Sequence, residues 1–465
     1  MRLYLILLLF PLFGFSQTNT YEVSFDNAVH HEAHIRASFP EVKSDTLIVR
    51  MSRSSPGRYA LHEFANNVYG VKATNSKGEK LEISRTDPYS WKISGHDGSV
   101  TVVYTLFGNR ADGTYSQIDE THAHLNIPAT FIYSEELNKR PIEVTFNTTG
   151  YPNWKIATQL KRLKGNTFFA PDLYYFMDSP TEISDYDLRE FKVDGKNIRF
   201  VLHHPGTEEE LDEYFEKVQK IVAQEKEVYG ELPDYDFGEY TFLACYMPNV
   251  SGDGMEHRNS TVLTDVESLG EGGMKDNIGT VAHEYFHSWN VERIRPKSLE
   301  PFDFTEANMS GALWFAEGFT SYYTGLTLCR AGIISPKEYI ESLNGTFNYV
   351  WNSPAREYFN PIEMSYQAPF VDAATSVDPV NRENTFISYY SYGSILGLAL
   401  DLQLREKDLN LDDFMRLAWQ KYGKTGIPYT IAELEKTLAE YAGKEFASDF
   451  FENYIYQSEM PNYKQ

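Results

Sequence analysis

Only two cysteines, Cys245 and Cys329, occur in 465 residues. So few exclude a disulfide-built scaffold and leave the fold to a hydrophobic core. Neither sits in a cysteine metal-ligand spacing. The runs TFLACYM and GLTLCRAG around them read as a strand and a helix, so two buried free thiols are expected. Positive charge is scarce as well: 42 Lys and Arg stand against 66 Asp and Glu, a net charge of −24. Such a surface disfavours nucleic acid and anionic lipid as partners. No apolar run beyond the first 17 residues reaches membrane-spanning length, so no membrane anchor is expected. Low-complexity tracts and internal repeats are missing too. The 42% of apolar residues is ample for a large core.

The first 17 residues read MRLYLILLLFPLFGFSQ: one arginine, an apolar run, then small Gly14 and Ser16 before Gln17. This pattern predicts a secretory signal peptide over residues 1–16 and export to the periplasm or beyond the cell. No cysteine follows the run, so a lipid anchor is not indicated. From 17 to 184 the chain reads as strands. Thr46 to Arg50, Val100 to Leu106 and Ile142 to Phe146 are rich in β-branched residues, and turn clusters such as Ser54-Ser55-Pro56-Gly57 separate them.

From 185 the character changes. Asn197 to His204 is strand-like, and Thr207-Glu208-Glu209-Glu210 is a capping box that opens a helix running to about Tyr229. Leu211, Tyr214, Phe215, Val218, Ile221 and Val222 form its apolar stripe. Tyr240 to Tyr246 returns as a strand. Beyond about Asn290 the periodicity predicts helices over Trp314 to Cys329, Pro336 to Leu343, Ser388 to Arg405, Leu411 to Tyr422 and Ile431 to Tyr441. A long loop is expected between about Val350 and Thr385. The plan is α+β: an all-β domain over 17–184, then a domain over 185–465 that is β/α to about 290 and helical after.

Within that second domain lies Val281-Ala282-His283-Glu284-Tyr285-Phe286-His287. On a helix, residues i and i+4 share a face, so both imidazoles can meet one ion. Two neutral imidazoles supply half of a tetrahedral zinc site. Glu284 stands about 100° around the helix from His283, where it can flank the ion and serve as general base for an activated water. A catalytic zinc needs a third protein ligand. Glu306 and Glu317 are the downstream candidates. Glu306 sits in the turn-like FDFTEANMSG, whereas Glu317 is a lone carboxylate on an apolar helical stretch, costly to bury without a partner. Glu317 is the better choice.

His283-Glu284-x-x-His287-Ser288-Trp289 followed by Trp314-x-x-Glu317-Gly318 resembles the gluzincin metalloaminopeptidases, and in particular the glycyl aminopeptidase family. Ser55 to Tyr59 and Ile118 to Asn126 agree, so the resemblance extends over nearly the whole chain beyond the leader. It implies an N-terminal β domain, a thermolysin-like zinc peptidase domain with a helical C-terminal half, one Zn2+ per chain, and small N-terminal residues (Gly or Ala) as substrate. Family members usually continue into a PDZ domain about where this chain stops, near Tyr463. Alanyl-aminopeptidase-like relatives place the third ligand 19 positions after the second histidine, which would select Glu306. The Trp-x-x-Glu-Gly pattern selects Glu317 across an inserted loop.

The resemblance also implies two further residues. Gly252 to His257 resembles the Gly-x-Met-Glu-Asn motif whose glutamate binds the substrate's α-amine, which assigns that role to Glu256. Ser388 to Gly393 resembles a Tyr-x-Lys-Gly segment whose tyrosine serves the oxyanion, and counting back from Gly393 selects Tyr390, with Tyr389 and Tyr392 as neighbours. The expected partners are peptides with a free N-terminus. A metalloendopeptidase using the same zinc, and a catalytically dead peptide-binding protein, are the alternative readings.

Overall fold

The two-residue period of the strand Val100–Phe107 buries Val100, Val102, Tyr104 and Leu106 on one face and turns the intervening residues outward. The same logic builds the N-terminal body. In the computed structural model, which describes residues 17–371 and 378–463, a seven-stranded sheet runs from Lys161–Lys164 through Thr167–Ala170, Ile142–Asn147, Asn19–Asn27, Glu32–Phe39 and Val100–Phe107 to Val68–Thr74. A three-stranded sheet of Thr46–Arg50, Ser90–Ser94 and Glu82–Asp87 contributes Leu47, Val49 and Ile93 to the same core. The signal peptide expected over 1–16 lies outside the described residues.

A four-stranded sheet behaves differently. Its strands His122–Leu125 and Thr181–Ser184 are buried along their whole length. Ala157 and Tyr186 on its flank pack with Val201 and Leu243 of a five-stranded sheet in the second body. It is the seam between the two bodies.

The five-stranded sheet has the order Asp187–Val193, Lys196–His203, Glu239–Tyr246, Ser260–Asp265, Asp253–His257. Its three middle strands are parallel and its two edges antiparallel. The helix Glu208–Tyr229 is the crossover between two parallel strands. Thr207 and Glu210 close the capping box at its start, and Gly230 ends it in the left-handed region. All six residues of its predicted apolar stripe are buried in the core that this sheet shares with the helical half. Burial of each Val, Leu or Ile contributes roughly 1.5–3 kcal/mol, which fixes the helix against the sheet.

The helical half departs from expectation in four places. The helix expected over Trp314 to Cys329 is two helices, Leu313–Ala316 and Gly318–Arg330, with Glu317 at the junction. The helix from Pro336 continues to Asn352, through Gly345, whose helix-interior cost of about 1 kcal/mol it tolerates. The expected loop carries short helical segments, Pro354–Glu357, Pro361–Ser365, Ala368–Val371 and Pro379–Thr385, the second opened by an Asn360–Glu363 capping box. A further helix, Lys444–Tyr454, lies beyond the last one that the periodicity predicts. Both thiols are free, although Cys329 is only half-buried. Among the described residues, no helix is long and apolar enough to cross a membrane.

Candidate metal centre and active site

The helix Ile278–Phe286 carries His283 in its last turn, and His287 is its C-terminal cap residue. Their Nε2 atoms are 3.1 Å apart. The proton positions follow from the other ring nitrogens. His287 Nδ1 donates to the Asn290 carbonyl at 2.5 Å. His283 Nδ1 lies 3.3 Å from the Thr324 hydroxyl, which itself donates to the Thr320 carbonyl and so accepts from the ring. Both protons therefore reside on Nδ1, and both Nε2 lone pairs face the same point.

Glu317 completes the cluster. Its Oε2 lies 3.1 Å from His287 Nε2 and 3.5 Å from His283 Nε2. A tetrahedral ion with bonds of about 2.0–2.2 Å sets its ligand atoms roughly 3.3–3.5 Å apart, so the three donors fit Zn2+. Asn290 locks the two ligand-bearing elements together: its Nδ2 donates to the carbonyls of Phe315 and Ala316 and to the Thr320 hydroxyl. Glu306 is exposed in a turn, and its carbonyl accepts from Asn308.

Glu284 and Glu256 stand on the same side. Glu284 is 6% exposed and its Oε2 has no hydrogen-bond partner, a lone buried acceptor that suits a water or a reacting proton. Glu256 belongs to the edge strand Asp253–His257. Carboxylate atoms of Glu256 and Glu284 and a ring nitrogen of His287 lie within 4.8 Å of one another. Burial raises the Glu284 carboxyl well above the usual carboxylate range, and the charges of Glu256, Glu317 and Asp253 add to that. Burial and Glu317 raise Glu256 in the same direction. Burial opposes charge on His287, yet Glu317 and Glu256 outweigh it, so the point that the two Nε2 atoms face attracts positive charge. Three carboxylates around two imidazoles form a site that favours a cation.

Glycines shape this cleft. A Cβ at Gly254 would collide with the Glu284 carboxylate, so the edge strand can run beside the base only with glycine there. Gly318 and Gly393 face one another where Gly318–Arg330 crosses Tyr389–Arg405. A Cβ on Gly393 would strike the Trp314 carbonyl and Gly318. That close crossing sets Tyr390 with its ring centre 5.8 Å from the His283 ring. Tyr392 is fully buried, and Tyr389 stacks beneath Tyr390 at 4.8 Å. Of the three tyrosines, Tyr390 is the half-buried one. His257, beside Glu256, turns away to pair with Asp178 at 2.9 Å.

Two residues near the ligands escaped the sequence reading. Tyr59, from the N-terminal body, donates its hydroxyl to Glu317 Oε1 at 2.6 Å, which leaves Oε2 to face the histidines. Glu225, on the long helix, is fully buried near His287 with neither carboxylate oxygen partnered. Burial raises it well above the usual carboxylate range, and the charge of His287 works the other way. The Tyr59 loop is fastened by Arg58, which pairs with Asp253 and donates to Thr114 at 2.7 Å.

His62 sits at the end of that loop, stacked on Phe64. Burial and then Arg58 lower its imidazole to about 4. Above its unfolded value of about 6.5 the ring is neutral in both states. Between about 6.5 and 4 the unfolded chain takes up a proton that the folded chain refuses, so stability falls as the pH falls. His62→Phe is expected to lose less melting temperature than the parent protein between pH 7 and pH 4.5. Equal losses in both would remove His62 as a source of acid sensitivity.

Known proteins resemble this chain in family and in fold. Residues 20–185 match the family model described as the peptidase M61 N-terminal domain, and 276–396 the one described as M61 glycyl aminopeptidase. Glu256 falls between the matched segments. A solved aminopeptidase N family protein from Idiomarina loihiensis is 26% identical and covers 96% of this chain and 77% of its own, with a TM-score of 0.87. A mutant M1 zinc metallopeptidase from Deinococcus radiodurans, bound to a Tyr-Ser-Ala substrate, is 12% identical over 94% of this chain and 93% of its own, with a TM-score of 0.52. Aminopeptidase A of Legionella pneumophila, in complex with aspartic acid, is also 12% identical, over 94% of this chain and 49% of its own, with a TM-score of 0.55. These last two likenesses concern the fold alone. A comparison with curated proteins finds no match.

Proposed function

Since the chain belongs to the M61 glycyl aminopeptidase family and is a peptidase, we propose that it removes small N-terminal residues, glycine or alanine, from peptides. His283, His287 and Glu317 would hold Zn2+. When bound, the ion supplies Lewis acidity towards the scissile carbonyl and acidifies a water towards a pKa of about 7. Glu284 would take a proton from the attacking water and pass it to the leaving amine. Its unpartnered, buried Oε2 supports this role. Tyr390 donates to the developing oxyanion from beside His283.

The observation that carries the exopeptidase reading is the position of Glu256, buried in the edge strand within 4.8 Å of the base and of His287. A substrate ammonium needs a fixed carboxylate when it leaves water, and an anchor this close to the base permits cleavage only one residue in. Paired with that ammonium, Glu256 is ionised and no longer repels Glu284.

The test compares Gly- and Ala-initiated peptides with and without N-acetylation. Free peptides should be cleaved and acetylated ones left intact. Cleavage of both at equal rates would make the enzyme an endopeptidase. Glu256→Gln should raise KM for free peptides about 10- to 100-fold, as expected for loss of one hydrogen-bonded charge. For Tyr390→Phe, kcat should fall about 10²- to 10³-fold with KM little changed. Full activity in that variant would remove the tyrosine from the mechanism.

A further inference from the structure

The seam between the two bodies holds a second cluster of metal-type donors. His122 and Glu182 come from the four-stranded sheet, and His203 and Cys245 from the sheet of the second body. Strand register brings the last two together, since His203 and Cys245 are direct neighbours across a parallel ladder. Cys245 points away from the core that its neighbours Ala244 and Tyr246 enter, towards the seam.

The donor atoms converge. Cys245 Sγ lies 3.5 Å from His203 Nδ1 and 3.9 Å from His122 Nδ1. The three donors lie within 4.8 Å of one another. Bonds of about 2.3 Å to sulfur and 2.0–2.1 Å to nitrogen place such atoms roughly 3.5 Å apart around one tetrahedral ion. Glu182 Oε1 lies 3.4 Å from the same His122 nitrogen and brings negative charge to the cluster. On the far side of the ring, His122 Nε2 faces Asp119 at 3.5 Å, the carboxylate support typical of a ligating histidine.

A plain hydrogen-bond network explains these contacts less well. Charge-assisted bonds to a carboxylate close to about 2.7–2.9 Å, whereas both histidine contacts of Glu182 stay at 3.3–3.4 Å. His122 Nδ1 faces both a carboxylate and a sulfur, and one proton cannot serve the two well. The thiol is a weak donor, and Cys245 is 1% exposed. The geometry points to a second transition-metal site, with Cys245, His122 and His203 binding Zn2+ as thiolate and imidazoles and thereby pinning the N-terminal body to the peptidase body. The three ligands stand 81 and 42 positions apart in the chain, so no local cysteine spacing announces the site.

Cobalt substitution tests the site apart from catalysis. Protein stripped by a chelator and reloaded with Co2+ should bind two ions per chain, one of them giving a thiolate-to-cobalt charge-transfer band in the near ultraviolet. The catalytic cluster contains no sulfur, so Glu317→Ala should keep the band and lose the other ion. Cys245→Ser should lose the band and retain one ion. His203→Ala, at a half-exposed position, should weaken the band-forming ion at least 10-fold and serves if the cysteine variant folds poorly. One cobalt per chain and no thiolate band in the parent protein would overturn the proposal.

Discussion

Glu284→Gln should reduce peptide hydrolysis by about 10²- to 10⁴-fold while the protein keeps its full zinc content. The two halves of this result have separate causes. Glutamine has the shape of glutamate but cannot accept a proton, so the water is no longer activated and the leaving amine no longer receives its proton. Metal content is expected to hold because the three donors that converge on one point are His283, His287 and Glu317, not Glu284. Stability should hold or rise, since the substitution removes a carboxylate that burial first, and then Glu256, Glu317 and Asp253, make costly to ionise. Metal analysis, a melting curve and a rate on a Gly- or Ala-initiated peptide are sufficient. Undiminished hydrolysis would eliminate Glu284 as the base, and loss of zinc would make it a ligand.

What could be read in the chain divides by distance along it. The pair His283 and His287 was legible because a helix brings i and i+4 together without help from the rest of the fold. Glu317 was legible as the one carboxylate in an apolar stretch. The capping box at Thr207 marked the start of the long helix, and the apolar stripe behind it marked the face it buries. Tyr59 was not legible as a partner of Glu317, since 258 positions separate them and only the docking of two bodies joins them.

The strands Asp253–His257 and Ser260–Asp265 escaped for another reason. Their buried residues include Ser260, Thr261 and Thr264, whose hydroxyls reach Gln159 and the carbonyls of Met255 and Ser251. Such a strand satisfies its polar groups internally and shows no apolar run. The place of Tyr390 depended on Gly318 and Gly393 letting two helices touch, a constraint that appears only when both backbones are present.

Metal binding should respond to Glu317→Ala, Tyr59→Phe and Glu306→Ala as a graded series. The first removes a donor that lies 3.1 and 3.5 Å from the two histidine nitrogens, and zinc affinity at the catalytic cluster should fall by at least about 100-fold, taking activity with it. The second deletes only the hydroxyl that holds Glu317 Oε1, so the carboxylate remains but can rotate. A loss of about 10- to 100-fold in affinity is expected, which excess zinc should recover. The third changes an exposed turn residue and should leave affinity and rate within error. Competition with a chromogenic chelator measures all three on one scale. Zinc held by the Glu317 variant and lost by the Glu306 variant would reverse the ligand assignment. A Tyr59→Phe variant indistinguishable from the parent would show that Glu317 is oriented by its helix junction alone, with the N-terminal body contributing only packing.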